Sequence, residues 1–203
     1  MNIFRNRAVV GFALWSFIIV VGSASLEAYE HLPAHQLKAS QVWPETTLKR
    51  GAGNTLVMFA HPRCPCTRAS LHQLQKLLGA ISSRPLCYVV FLKPPGWDDK
   101  QLDTDIFRTA KQIAGVETVF DEGGAIARSF ASTTSGDTFL FGPGGGLIFR
   151  GGITASRGDE SDCASYELLA NAMEKTPITD KLAQTPVFGC SLVNSQGVKS
   201  CRR

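Results

Sequence analysis

The sequence predicts an α/β fold: a mostly parallel central sheet with helices on both faces and a late antiparallel hairpin. Three observations predict it. Short continuous apolar runs recur, as strands covered on both faces require, and between them lie stretches with apolar residues three and four apart, as amphipathic helices require. Two late apolar runs are joined only by Gly142-Pro143-Gly144-Gly145-Gly146, a connection so short that the chain must return antiparallel. At 203 residues, 44% hydrophobic and 19% charged, the chain is sized for one globular domain with modest extras. Its composition excludes disorder, collagen, coiled coil and a multi-span membrane protein.

The first element is an export segment. Met1 to Arg7 carries two arginines and no acid, and Ala8 to Gly22 is fifteen residues, apolar apart from Ser16. That matches a signal-peptide core, with Gly22-Ser23-Ala24 offering small residues for cleavage; extended to Leu26 it reaches about the 17 residues that a membrane span needs. Residues 1–26 are therefore a signal peptide or an anchor, with positive charge left in the cytoplasm and everything from Glu27 onward outside it. The expected location is periplasmic or otherwise extracytoplasmic, where cysteine pairs form and persist. Residues 27–50 read as a linker: His31, Pro33, His35 and Pro44 interrupt any periodicity.

The domain is expected over residues 51–175. Thr55 to Ala60 is a buried strand, followed by the turn His61-Pro62-Arg63-Cys64-Pro65-Cys66. Leu71, Leu74, Leu78 and Ile81 then form one helical stripe. Leu86 to Leu92 is a second buried strand, and Ile106, Phe107, Ala110 and Ile113 make another stripe closed by Gly115. Thr118 to Phe120 is a brief strand and Ala125 to Phe130 a brief helix. The hairpin pairs Thr138–Phe141 with Leu147–Arg150, and Tyr166, Leu169, Ala172 and Met173 give the last helix. Residues 176–203 form a cysteine-containing tail.

The chemistry concentrates at Cys64 and Cys66. A sulfur does redox work as a thiolate, so the question is what lowers its pKa. A residue before proline is pushed away from helical geometry, while Pro65 suits the first helical position. Cys64 is then the N-cap, its sulfur facing the free N–H groups and positive end of the helix, with Arg63 and Arg68 adding positive potential. Cys66 falls inside the first turn as the better screened, resolving thiol. Cysteines two apart bridge only with strain, which makes such a bond easier to reduce.

The strand ending LVMFAHPRC, the Cys-Pro-Cys opening an amphipathic helix, and the hairpin TFLFGPGGGLIFRGG together resemble the thioredoxin-like superfamily, in its exported or membrane-tethered branch. The resemblance spans roughly residues 50–175. It implies a thioredoxin-like fold, a nucleophile at Cys64 and a second redox cysteine at Cys66. The pattern departs from the family in two places. One residue, not two, separates the cysteines, and the proline that precedes the strand facing them is replaced by Asp137 after Gly136. His61, Arg63, Pro65, Asp137 and Thr138 are accordingly the residues expected to line the site. In the peroxiredoxin branch a hydroxyl stands three residues before the cysteine; His61 holds that place here. Copper-delivery proteins of the superfamily use two cysteines in this loop and a distant histidine; His31, His35, His61 and His72 all lie outside the distal half, so the alternative Cu(I) ligand set is Cys64, Cys66 and the nearby His61, soft thiolates selecting that ion.

The remaining cysteines read differently. Cys87 sits in an apolar strand as a core residue, and Cys163 opens the last helix. In the tail, a Cys190–Cys201 bridge would pin the chain; alternatively Val187-Phe188 dock it so that Cys190 is a third thiol near Cys64. The loop from Ala155 to Asp162 is a candidate border of the site. Gly142–Gly146 lacks the Lys-Ser/Thr of a phosphate loop. Of the formal charge of +4, from 21 Lys+Arg against 17 Asp+Glu, two bases lie in the export segment. No basic cluster suits a nucleic acid. The expected function is exported thiol–disulfide exchange through Cys64 and Cys66 with no cofactor. Its partners would be protein or small-molecule thiols and disulfides and a membrane or periplasmic redox protein. The alternatives are a Cu(I) carrier and a redox-inactive adaptor.

Overall fold

A computed structural model describes residues 2–174 and 182–192. The chain divides into two compact units, residues 1–32 and 33–203. The first is a single helix, α1 (Asn2–Glu30), whose segment Val9–Glu30 has a mean hydropathy of 2.1 and is long and apolar enough to cross a membrane. It runs without a break through Gly22-Ser23-Ala24. Val10, Phe12, Trp15, Ile18 and Val20 are all exposed, as a helix apolar on every side requires when it has no core of its own.

The second unit contains, in order, β1 (Thr55–Ala60), α2 (Pro65–Ala80), β2 (Leu86–Lys93), α3 (Asp99–Leu102), α4 (Asp105–Gln112) and β3 (Val116–Glu122). After these come α5 (Ala125–Ser129), β4 (Thr138–Phe141), β5 (Leu147–Gly151), α6 (Ala164–Glu174) and the two-residue β6 (Ala183–Gln184). The strands form one sheet in the order β3-β2-β1-β4-β5-β6. β1, β2 and β3 run parallel; β4 is antiparallel to β1, and β5 to β4, across the expected hairpin.

Alternation along β1 serves two cores, which is why its sequence is continuously apolar. Leu56, Met58 and Ala60 pack with Leu71, Leu74 and Leu77 of α2, together with residues of α4 and α6. Val57 and Phe59 pack with Phe130, Phe139 and Phe141 on the opposite face. α5 starts on this second face because the Asp121 carboxylate accepts from the N–H groups of Ile126 (2.7 Å) and Ala127 (2.9 Å).

One expectation is corrected and one element is added. Residues 33–50 are not a free linker: Trp43 packs edge-on against Phe130 and Phe141 at 5.5 and 5.0 Å, Leu48 is buried, and Trp43 N–H donates to Gly145 O at 2.7 Å. Proline-rich spacing hid an apolar strap over a sheet face that the five-residue α5 is too short to cover. α3 was not foreseen either; it is held by a capping box between Asp98 and Gln101, with no apolar periodicity to announce it.

Candidate functional site

α2 begins where the carboxyl end of the central strand β1 reaches the sheet edge, the customary place for a site in this class of fold. Cys64 is its N-cap, at φ −91° and ψ 119°, and Pro65 follows as the first helical residue, as the steric rule at proline requires. The His61 carbonyl accepts from Cys64 N–H at 3.1 Å, and His61 Nδ1 from Arg63 N–H at 3.1 Å, so the turn is fixed before the helix starts. The imidazole thereby caps the strand end. Burial pulls its pKa below the usual histidine value, with the Cys64 charge opposing and Arg63 assisting.

Three sulfurs meet here. Hydrogen bonds to the Cys64 sulfur, from the Cys190 thiol first and the Cys66 thiol second, hold its pKa far below the usual thiol range. Burial opposes this, and the N–H groups of Thr67 and Cys190 add to it. The same hydrogen bond from the other side pushes Cys66 and Cys190 upward, burial adding to it in each. The shared hydrogen bonds favour the anion at Cys64 and the protonated form at Cys66 and Cys190. All three are free cysteines.

The cause differs in part from the expected one. Arg68 is paired with Asp105 at 2.5 Å, and the Arg63 guanidinium lies over the Trp97 ring, 4.3 Å from its centroid. The arginine that works on the thiols is Arg157, whose positive charge and N–H groups favour the Cys66 anion, though less than Cys64 and burial oppose it. It comes from the 155–162 loop, which does border the site.

Accessibility is also reversed. The sequence expected Cys64 to be the open sulfur and Cys66 the screened one, whereas Cys64 has 0% of its surface exposed and Cys66 and Cys190 are partly exposed. The reason is the tail. Val187 and Phe188 are buried and dock the chain so that residue 190 lies over the start of α2. Ser135 N–H donates to Cys190 O at 2.8 Å and Leu192 N–H to Thr133 O at 2.8 Å, an antiparallel contact on the loop before β4. Cys201 falls outside the described residues.

Asp137 and Thr138 occupy the expected place in the chain, but their side chains are turned into the protein. The Asp137 carboxylate pairs with Arg150 at 3.2 Å, both groups buried, and burial raises its pKa to about 6 in spite of that partner. Thr138 Oγ1 donates to Gly136 O. Ser135 takes the role instead: its hydroxyl lies 2.6 Å from Thr67 Oγ1 and accepts from His61 N–H at 3.2 Å, tying the loop to α2. Sequence spacing carried no signal for Ser135 or Arg157. Pro65 is exposed beside the cysteines, as is Arg63. Cys87, fully buried, has its pKa pushed up to about 12 by desolvation and is the inert core thiol expected.

A cavity of about 180 Å³ adjoins the turn, lined by His61, Pro94, Pro95, Arg128 and Ser191 among others. A larger one of about 610 Å³, between Glu45–Thr47 and α5, touches no cysteine. For the alternative ligand set, His61 Nδ1 is engaged by Arg63 N–H, and among the described residues no group of three or more His, Cys, Asp or Glu is arranged around a metal position.

No protein-family model and no curated protein matches the chain. Solved structures do. A hypothetical protein from Sinorhizobium meliloti 1021 aligns over 79% of this chain and 96% of its own, at 18% identity and a TM-score of 0.56. An uncharacterized conserved protein from Geobacillus kaustophilus aligns over 80% and 92%, at 17% identity and 0.52. With three parallel strands, an antiparallel hairpin and the cysteines at the start of the first domain helix, the topology decides the fold. The chain has the thioredoxin-like fold. A secreted Mycobacterium tuberculosis disulfide oxidoreductase is a more distant match, over 61% of this chain and 81% of its own, at 11% identity and 0.42.

Proposed function

We propose that the protein is a thiol–disulfide oxidoreductase working outside the cytoplasm, with Cys64 as its nucleophile. One observation carries the reading: Cys64 stands at the N-cap of α2 directly before Pro65, with Cys66 in the first turn and the Cys190 segment docked on the loop ahead of β4, an arrangement that favours the Cys64 thiolate. A thiolate attacks a disulfide sulfur, forming a mixed disulfide and releasing the other half as a thiolate. A neighbouring thiol then attacks the Cys64 sulfur and frees the second half; the sequence reading gives that step to Cys66. Run backward, the same steps oxidise substrate thiols. The apolar helix α1 supports a location in or across a membrane.

The decisive experiment combines turnover with titration. Cys64→Ser should abolish exchange with a model disulfide, and the ultraviolet absorbance of the thiolate should show a cysteine ionised well below the ~8.5 of a free thiol. Wild-type turnover in Cys64→Ser would overturn the reading. So would an ordinary thiol pKa combined with tight Cu(I) binding that weakens in His61→Ala; that result would instead identify a copper carrier on Cys64, Cys66 and His61.

A further inference from the structure

Resting on that reading, we infer that the tail segment 187–192 is a built-in substrate, and that exchange passes through a disulfide between Cys64 and Cys190. The segment lies as an extended peptide would lie when presenting a sulfur to the nucleophile. Its main chain pairs antiparallel with the loop just ahead of β4, through Ser135 N–H to Cys190 O and Leu192 N–H to Thr133 O. Ser135, whose N–H holds Cys190 O, has its hydroxyl 2.6 Å from Thr67 Oγ1 and accepts from His61 N–H, so residue 190 is tied to the turn and first helical turn that carry Cys64, and the Cys190 thiol and N–H favour the Cys64 anion. Arg157 clamps it from the third side, donating to Gly189 O at 2.6 Å.

The fit is specific to this segment. At Gly189 a Cβ would come within 1.9 Å of Ser135 O, and at Gly152 one would come within 2.7 Å of Pro186 O, so main chain meets main chain at both crossings. Such approaches require glycine. Cys66, in contrast, is fixed two residues from Cys64 within the first helical turn, where a bridge distorts the helix. Cys190 comes from a separate segment of the chain and closes on the same sulfur without that constraint.

The steps balance. An external disulfide R–S–S–R′ reaches Cys64 when the 189–191 segment swings off its edge; the Cys64 thiolate bonds to one sulfur and R′–S⁻ leaves. Cys190 then returns, gives its proton to the solvent, and attacks the Cys64 sulfur, so that R–S⁻ leaves and Cys64–S–S–Cys190 remains. The substrate gains two electrons and the cysteine pair loses two.

The test uses the full chain, oxidised with a slight excess of oxidised glutathione, alkylated, cut with trypsin and weighed. Cleavage separates residues 64–68, 182–199 and 200–202. The expected product joins 64–68 to 182–199, and Cys66→Ser retains it. In Cys190→Ser that product is absent and glutathione stays on Cys64, cleared roughly a hundredfold more slowly because the oriented intramolecular thiol is gone. A bond confined within 64–68, or one joining 182–199 to 200–202, overturns the inference. So does wild-type clearance of glutathione in Cys190→Ser. If Cys64→Ser is dead while Cys190→Ser turns over normally, the oxidoreductase reading stands and this inference falls; if Cys64→Ser is active, both fall.

Discussion

Gly189→Ala separates the tail from the nucleophile with one added carbon. Its Cβ would lie 1.9 Å from Ser135 O and 2.9 Å from Ser135 C, and since contacts below 3.0 Å essentially never occur, the two main chains must part by at least 1.1 Å. The 2.8 Å bond from Ser135 N–H to Cys190 O does not survive that separation, and the Leu192 bond to Thr133 is next in line. Losing two such bonds costs about 2 kcal/mol. Keeping them against the overlap costs about 1–3 kcal/mol of strain. Releasing Val187 and Phe188 as well would forfeit roughly 1.5–3 kcal/mol for each side chain. The chain therefore gives way at 189–192 and stays docked at 187–188, at about 2–4 kcal/mol in a urea melt. Cys64 then loses the thiol and N–H of Cys190, so its pKa rises while its sulfur becomes accessible. These two effects oppose each other at neutral pH. Alkylation of the reduced chain by iodoacetamide above about pH 9, where an unperturbed cysteine is also largely thiolate, isolates access. Cys64 in Gly189→Ala should react faster there than in wild type, while Gly144→Ala, whose Cβ meets nothing within 4 Å, should not. Equal rates in Gly189→Ala and wild type would refute the account of the tail as the cover of Cys64.

Further outcomes follow from the same geometry. Asp137 has a native pKa of about 6 against an unfolded value near 3.9, so the native state binds the extra proton. Stability therefore falls as pH rises from about 4 to 6, by about 3 kcal/mol, and urea melts across that window should show it in wild type and lose it in Asp137→Asn. Arg157→Met removes the donor to Gly189 O and the group that lowers Cys66, so Cys66 should titrate higher and the tail should exchange amide protons sooner. Cys87→Ala should leave disulfide exchange unchanged while lowering stability by roughly 1 kcal/mol for the small cavity, checked by turnover and melting. Residues 33–203 made without α1 should melt cooperatively, because both cores lie wholly within that unit.

The sheet and the main helices were legible because their signals are local: apolar runs for β1 and β2, a stripe for α2, and the glycine-rich hairpin. Cys64 as an N-cap was legible for the same reason, being a consequence of Pro65 one residue away. What escaped depends on contacts between distant segments. The strap around Trp43 hides among prolines, since its periodicity answers to a sheet face and not to itself. Arg157 stands in no motif; only folding brings its guanidinium to Cys66. Asp137 was placed by counting along β4, which locates a backbone and says nothing of a side chain drawn inward by Arg150. Cys64 was expected to be open because the turn alone would leave it so, and the cover comes from more than a hundred residues downstream.

The strap and the tail also touch. Ala34 N–H donates to Val187 O at 2.8 Å, and the Gln36 side-chain amide donates to Thr185 O at 3.1 Å. The first residues of the domain and the segment carrying Cys190 are thus lapped together like two ends of a belt. Peeling the buckle from the front loosens the back, so Ala34 and Cys190 belong to one cooperative opening unit, and tension applied where the domain begins is felt at the sulfur of Cys64.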